Sequence, residues 1–269
     1  LRQAINKSSN QDTLQIGKYN VNIAEGKDVH IGDKFYQGAD AEAIRKIIQE
    51  LVKSKAAVKY IPYSGTPNFV GRRDELKEIH DKLHQDNNAV AISTVSGMGG
   101  IGKTELAVKY ASKHVDDYPG GVCWLNARDA NLAGEIIQFV QLQMGLEVPQ
   151  QDFQGNPLTL NQQVAWCWRN WQPPEGLVLL IFDDVTSLEG FDELIPPNHR
   201  FRILLTTRLR DIDANVEEIS LDVLSPEEGL QLLINILEEK RVNKELAAAQ
   251  ELCKWLGYLP LGIELVGRY

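Results

Sequence analysis

Eight residues constrain this chain more than any other feature: Gly97-Met98-Gly99-Gly100-Ile101-Gly102-Lys103-Thr104. They follow the apolar run AVAISTV (89–95) and precede an amphipathic segment from Glu105 to His114, so a glycine-rich turn joins a strand to a helix. The spacing has a physical reason. Glycines let the loop curl until successive backbone N–H groups point inward, and the following helix adds about half a positive charge at its N-terminus. Such a concavity takes phosphate oxygens. Lys103 supplies a point charge for the β- and γ-phosphates of a nucleotide, and the Thr104 hydroxyl is suited to ligate Mg²⁺.

A second acidic element is required to hold that metal. The run Leu177 to Phe182 is an apolar strand that ends in Asp183-Asp184, and strand C-termini are where ligands bind in open α/β sheets. Asp183 would hold Mg²⁺ through water, and Asp184 beside it would polarise the attacking water. Taken alone, Asp-Asp after a strand reads as a turn; the preceding glycine loop turns the balance toward the metal. The next run, RILLTT (202–207), leaves Arg208 at the same sheet edge. There a guanidinium can distinguish a triphosphate from a diphosphate, although by spacing alone it reads equally as a solvated arginine.

Four runs are apolar over most of their length (89–95, 121–127, 177–182 and 202–207), with a fifth, weaker candidate at 217–221. Separated by helix-sized segments, they predict an α/β domain over 61–222 with a five-stranded parallel sheet covered on both faces. A small helical domain over 223–269 follows. Ser225-Pro226-Glu227-Glu228 has the form of a capped helix start, and breaks fall near Gly257 and Pro260. Residues 1–38 differ: alternating residues predict two short strands, around Val21-Ile23 and Val29-Ile31, on either side of a turn at Ala24–Lys27. Residues 39–60 hold an amphipathic helix over 40–58, with Asp40 as N-cap and Ile44, Ile47, Ile48, Leu51 and Val52 on one face, and the start of a linker. Near Trp166, Trp168 and Trp171, the residues Leu160, Val164, Trp168 and Trp171 follow helical spacing and predict a core face; Trp166, off that stripe, is a candidate subunit contact.

Composition narrows the classes. With 28 Lys+Arg against 37 Asp+Glu the net charge is −9, and no basic run offsets it, so duplex nucleic-acid binding is not expected. The three cysteines, Cys123, Cys167 and Cys253, are odd in number and widely spaced, which fits reduced thiols in a cytoplasmic protein. His80 and His84 can share a helix face, but no third metal ligand is visible beside them. No apolar run reaches membrane-spanning length. The chain opens on Leu1 and stops within an apolar helical pattern, so it reads as a piece of a longer protein.

Five motifs now stand in order: Phe69-Val70-Gly71-Arg72-Arg73-Asp74-Glu75-Leu76, the glycine loop, LLIFDDV, ILLTTR, and Gly257-Tyr258-Leu259-Pro260-Leu261. This set resembles the NB-ARC domain of STAND-class signalling ATPases, which include apoptosome ATPases and plant disease-resistance proteins. The resemblance implies that Val70 and Arg72 border an adenine pocket and that Pro260 packs on the base or ribose, with Leu261 and Glu105 beside the nucleotide. It implies a switch that binds ADP or ATP with Mg²⁺ and hydrolyses slowly, with Lys103, Asp183, Asp184 and Arg208 in the roles argued above. It further implies homo-oligomerisation on activation and an effector or adaptor engaged through the N-terminal region, in immunity or programmed cell death. Tyr258 lies inside the last motif, and Gly262 stands where the family usually has Ala. A non-switch ATPase or kinase with a helical lid is the alternative, but no acceptor-site constellation is visible. No guanine-reading Asn-Lys-x-Asp occurs either, which disfavours a GTPase. Separately, Leu14-Gln15-Ile16-Gly17-Lys18-Tyr19-Asn20 resembles the core of RHIM-type motifs, which implies cross-β stacking between chains. The same residues also read as a small folded hairpin belonging to an adaptor domain.

Overall fold

The computed structural model describes residues 11–16, 19–24, 28–31, 34–36, 57–85, 89–94, 99–128, 131–209, 212 and 216–269. The helix expected over 40–58 falls outside them, except for Ala57 and Val58, which are not helical. By contacts the chain divides into two units, residues 1–56 and 57–269.

In the first unit, β1 (Gln11–Ile16), β2 (Tyr19–Ala24), β3 (Asp28–Ile31) and β4 (Lys34–Tyr36) form an antiparallel meander in that order. The β2–β3 hairpin is the one expected, with Val21 opposite Ile31 and Ile23 opposite Val29. Two further strands flank it. Leu14, Gln15 and Ile16 pair with Val21, Asn20 and Tyr19, so the segment that resembles a cross-β motif supplies both arms of a hairpin within one chain.

The second unit holds β5 (Lys59–Tyr60), α1 (Arg73–His84), β6 (Ala89–Thr94), α2 (Lys103–Lys113), β7 (Gly121–Asn126), α3 (Leu132–Met144), α4 (Leu160–Arg169), β8 (Val178–Val185), β9 (Phe201–Thr207) and β10 (Glu217–Leu221). The sheet order is β10-β6-β9-β8-β7-β5, every neighbour parallel. All five expected strands are in it. The sixth, β5, lies in the stretch read as linker; two residues paired with Val122 and Cys123 are too short to show a period.

Both faces are covered, which explains the unbroken apolar strands. Along β8, Leu179 and Ile181 share one core with Leu106 and Tyr110 of α2 and Ile79 of α1, whereas Leu180 and Phe182 share the other with Ile136 and Val140 of α3 and Val164 of α4. Each such fully buried side chain contributes about 1.5–3 kcal/mol. Val164, Trp168 and Trp171 are buried in this second core, and the indole N–H groups of Trp168 and Trp171 donate to the carbonyls of Leu194 and Gly120. Trp166, off that stripe, is half-buried and packs against the same core. Leu160, the first residue of α4, stays exposed.

The chain ends in α5 (Pro226–Leu237), α6 (Glu239–Lys244), α7 (Leu246–Trp255) and α8 (Pro260–Gly267), built around Leu224, Leu232, Leu233, Val242, Cys253 and Ile263. The expected cap of α5 is formed in full. Glu228 N–H donates to Ser225 Oγ at 3.2 Å, and Ser225 N–H donates to Glu228 Oε2 at 2.9 Å. The three cysteines are free and buried. Among the described residues no helix is long and apolar enough to cross a membrane.

Candidate nucleotide-binding site

β6, β8 and β9 are adjacent, so their C-terminal ends deliver the glycine loop, Asp183-Asp184 and Arg208 to one edge of the sheet. Gly97 and Met98 lie outside the described residues. From Gly99 onward the loop is tightly held. Gly100 has φ +81°, and a Cβ there would lie 2.9 Å from Leu261 Cβ; Gly102 has φ +102°, where only glycine sits without strain. Gly99 lies under the Arg208 guanidinium, 3.5 Å from where its Cβ would be. Among the described residues no side chain caps α2, which leaves its first-turn amides to a ligand.

Lys103, the first residue of α2, is buried. Burial, then the positive charge of Arg208, holds its ammonium below the usual lysine range, against the opposing pull of Asp184 and Asp183. Thr104 Oγ1 donates to Asp183 Oδ1 at 2.9 Å, so the two candidate Mg²⁺ ligands already touch. Thr206 donates to the same Oδ1 at 2.5 Å and accepts the Asp184 N–H at 2.8 Å. The β8–β9 register shifts between Phe182 and Val185, and Asp184 takes φ +59°. This bulge turns the second carboxylate toward two arginines: Arg128 Nε at 3.1 Å from Oδ2 and Arg208 Nε at 3.9 Å from Oδ1. Three cations thus surround two carboxylates beside an uncapped helix start. The excess is positive, which suits a polyphosphate with a divalent cation.

Next to the loop is a cleft of about 450 Å³, counted out to solvent. Val70, Phe69 and Asn68 line it from the segment before α1, Ile101, Gly102 and Glu105 from the loop and α2, and Leu232, Pro260 and Glu264 from α5 and α8. Thr66 pins its rim: its N–H donates to Glu105 Oε2 at 2.8 Å and its hydroxyl to Glu264 Oε1 at 3.3 Å. Apolar walls with a few polar groups, next to a phosphate cradle, fit a base and ribose. Leu261 N–H donates to the Gly100 carbonyl at 3.2 Å, joining α8 to the loop.

Arg72 is placed differently from the rest. It sits in the left-handed region (φ +60°) just before α1, and its guanidinium bonds Glu75 at 2.9 Å and the Asp222 carbonyl at 2.5 Å, outside the residues that line the cleft. Two contributors escaped the sequence reading. Arg128 lies just past the end of β7, and that position at a ligand-binding edge was its only signal. Thr206 was read as strand; only the fold brings it beneath both aspartates.

The Effector-associated domain 10 family matches residues 1–51, and the NB-ARC domain family matches residues 72–243. The chain is 30% identical over 201 residues to the regulatory protein AfsR of Streptomyces griseus, covering 74% of this chain and 20% of that one. It is 26% identical over 216 residues to a probable disease resistance RPP8-like protein of Arabidopsis thaliana, covering 74% of this chain and 23% of that protein. Among solved structures, a Signal Transduction ATPase with Numerous Domains (STAND) protein with a tetratricopeptide repeat sensor, from Pyrococcus horikoshii, superposes with a TM-score of 0.49 at 22% identity, over 76% of this chain and 30% of that one. The chain therefore spans about a fifth to a third of the length of these relatives. The glycine loop, the aspartate pair and a family match over more than half of its length agree: the chain belongs to the NB-ARC domain family.

Proposed function

We propose that the chain is a nucleotide-dependent signalling switch that binds ADP or ATP with Mg²⁺, hydrolyses ATP slowly, and relays the state of the phosphate site to the helices over 223–269. The observation that carries this reading is the shared use of one loop. The Gly100 carbonyl accepts from Leu261 of α8, while Gly99 and Lys103 lie against Arg208, the group positioned to sense a third phosphate. Lys103 and Arg208 hold the phosphates, Thr104 and Asp183 would hold the metal, and Asp184 presents a carboxylate to water. When bound, Mg²⁺ neutralises charge on the phosphate oxygens.

The magnitudes are compatible. Moving a two-state switch from 1:99 to 99:1 takes about 5.5 kcal/mol of differential affinity. Hydrogen bonds to charged groups contribute about 1.5–3 kcal/mol each, so two or three contacts to one added phosphate are of the required order. The open state would self-associate, and the residues that match an effector-associated domain would recruit an effector by like-with-like contact. Relatives named for regulation and disease resistance support a role in regulatory or defence signalling.

Nucleotide titration of Lys103→Ala tests the site: binding is lost, and wild-type affinity in this variant refutes the assignment. Asp184→Ala keeps binding and slows hydrolysis. Guanine rather than adenine nucleotide co-purifying with the protein overturns the base assignment. Light scattering that finds a monomer with and without ATP overturns self-association of this chain.

A further inference from the structure

A second cluster of ligating side chains lies at the other end of α2, about 16 Å along the helix from Lys103 (11 residues at 1.5 Å each). His80 and His84 are one turn apart on α1, and His114 closes α2. The His80 ring is sandwiched, 4.2 Å from His84 and 4.3 Å from His114, the latter stacked at 26°. Below them, Tyr110 stacks on His114 at 4.8 Å and its buried hydroxyl bonds that of Tyr118 at 2.6 Å. On the open side, His114 Nδ1 and Asp117 Oδ2 share a proton at 2.8 Å.

We propose that His80, His114 and Asp117, with water completing the shell, form a binding site for a divalent transition metal of the zinc class. One ligand atom each from His80, His114 and Asp117 already lies within 4.8 Å of the others. A tetrahedral zinc shell with bonds of about 2.0–2.2 Å needs its ligand atoms about 3.3 Å apart, so the three have to close by no more than about 1.5 Å. A cation that replaces the shared proton binds His114 and Asp117 together, and His80 faces the same space. His84 lies outside that set, its Nδ1 engaged with the His80 carbonyl at 2.9 Å. Two imidazoles and one carboxylate, with an open fourth position, select Zn²⁺, Co²⁺, Ni²⁺ or Cu²⁺ over the oxygen-seeking Mg²⁺. This site is separate from the Thr104–Asp183 pair, and its occupant would fasten α1 to α2, the two helices that cover one face of the sheet.

The test is a Co²⁺ titration of tag-free, nucleotide-free protein followed by visible absorption, with Zn²⁺ as competitor. The expected result is one Co²⁺ per chain, with a four- or five-coordinate spectrum that Zn²⁺ displaces. Affinity falls at least tenfold in His80→Gln and in His114→Gln and is unchanged in Asp183→Asn. Zn²⁺ raises the melting temperature of the wild type but not of His80→Gln, whose metal-free circular dichroism matches the wild type. No stoichiometric band, a band that survives His114→Gln, or one abolished by Asp183→Asn overturns the proposal.

Discussion

Replacing Thr206 by valine probes the scaffold of the site without touching any group placed against nucleotide. Thr206 is 1% exposed, donates to Asp183 Oδ1 at 2.5 Å and accepts the Asp184 N–H at 2.8 Å. Valine keeps the volume and removes both bonds. Losing a hydrogen bond to a carboxylate costs about 1.5–3 kcal/mol, and a buried amide left without an acceptor costs a further 1–3 kcal/mol. Asp183 keeps the bond from Thr104, and partial relaxation recovers some of the rest, so about 3 kcal/mol is expected. At about 2–4 °C per kcal/mol for a domain of this size, thermal unfolding should fall by about 6–12 °C. Released from Thr206, the bulge at Asp184 loses its anchor, so ATP turnover should drop together with the Mg²⁺ dependence of binding. Thr206→Ser restores both bonds and should recover most of the stability and turnover. A valine variant within about 0.5 kcal/mol of wild type, or a serine variant as damaged as valine, would refute the claim that this hydroxyl holds the aspartate pair.

Three other predictions follow from single contacts. At Gly71 (φ +63°) a Cβ would fall 1.8 Å from Glu228 Oε1, so Gly71→Ala combines left-handed strain of about 1–2 kcal/mol with loss of half a capping box, about 1 kcal/mol. In chemical denaturation the double variant with Glu228→Ala should cost less than the two single changes together; strict additivity would contradict the clash. Arg128 is exposed, so Arg128→Ala should change stability by no more than about 1 kcal/mol, yet speed phosphate release severalfold by freeing Asp184 Oδ2; unchanged or slower release counts against that pairing. Burial, then the charges of His84 and His114, lowers the His80 pKa from 6.5, so the unfolded chain takes up the proton first. Metal-free stability should therefore fall as pH drops from about 7 through 6.5, and His80→Asn should flatten that slope.

What could be read from the sequence was what is local. The glycine loop, the capped start at Ser225 and the five longer strands announce themselves within a dozen residues, through spacing, period and backbone permissiveness. What could not be read depends on partners brought together by topology. Thr206 meets Asp184 across 22 residues and Arg128 meets Asp184 across 56, and neither pair leaves a periodic trace. His80 and His84 looked like a pair without a third ligand because His114 reaches them only when α2 lies beside α1. β5 was hidden by its two-residue length. The guanidinium of Arg72 bonds Glu75 within its own helix start and the Asp222 carbonyl 150 residues on, and the second partner leaves no trace in the motif.

A backbone that admits no Cβ can be approached from both sides. At Gly99 and Gly100 the loop lies between Arg208 and Leu261, and at Gly71 the chain before α1 admits the carboxylate that caps α5. Gly100, within the glycine loop, is therefore also a position where the helices over 223–269 dock. A shift of the loop at Gly100 acts on the 3.2 Å hydrogen bond that its carbonyl accepts from Leu261 N–H. Either the loop resists the shift or α8 moves with it, and a phosphate bound in the loop bears on that choice directly.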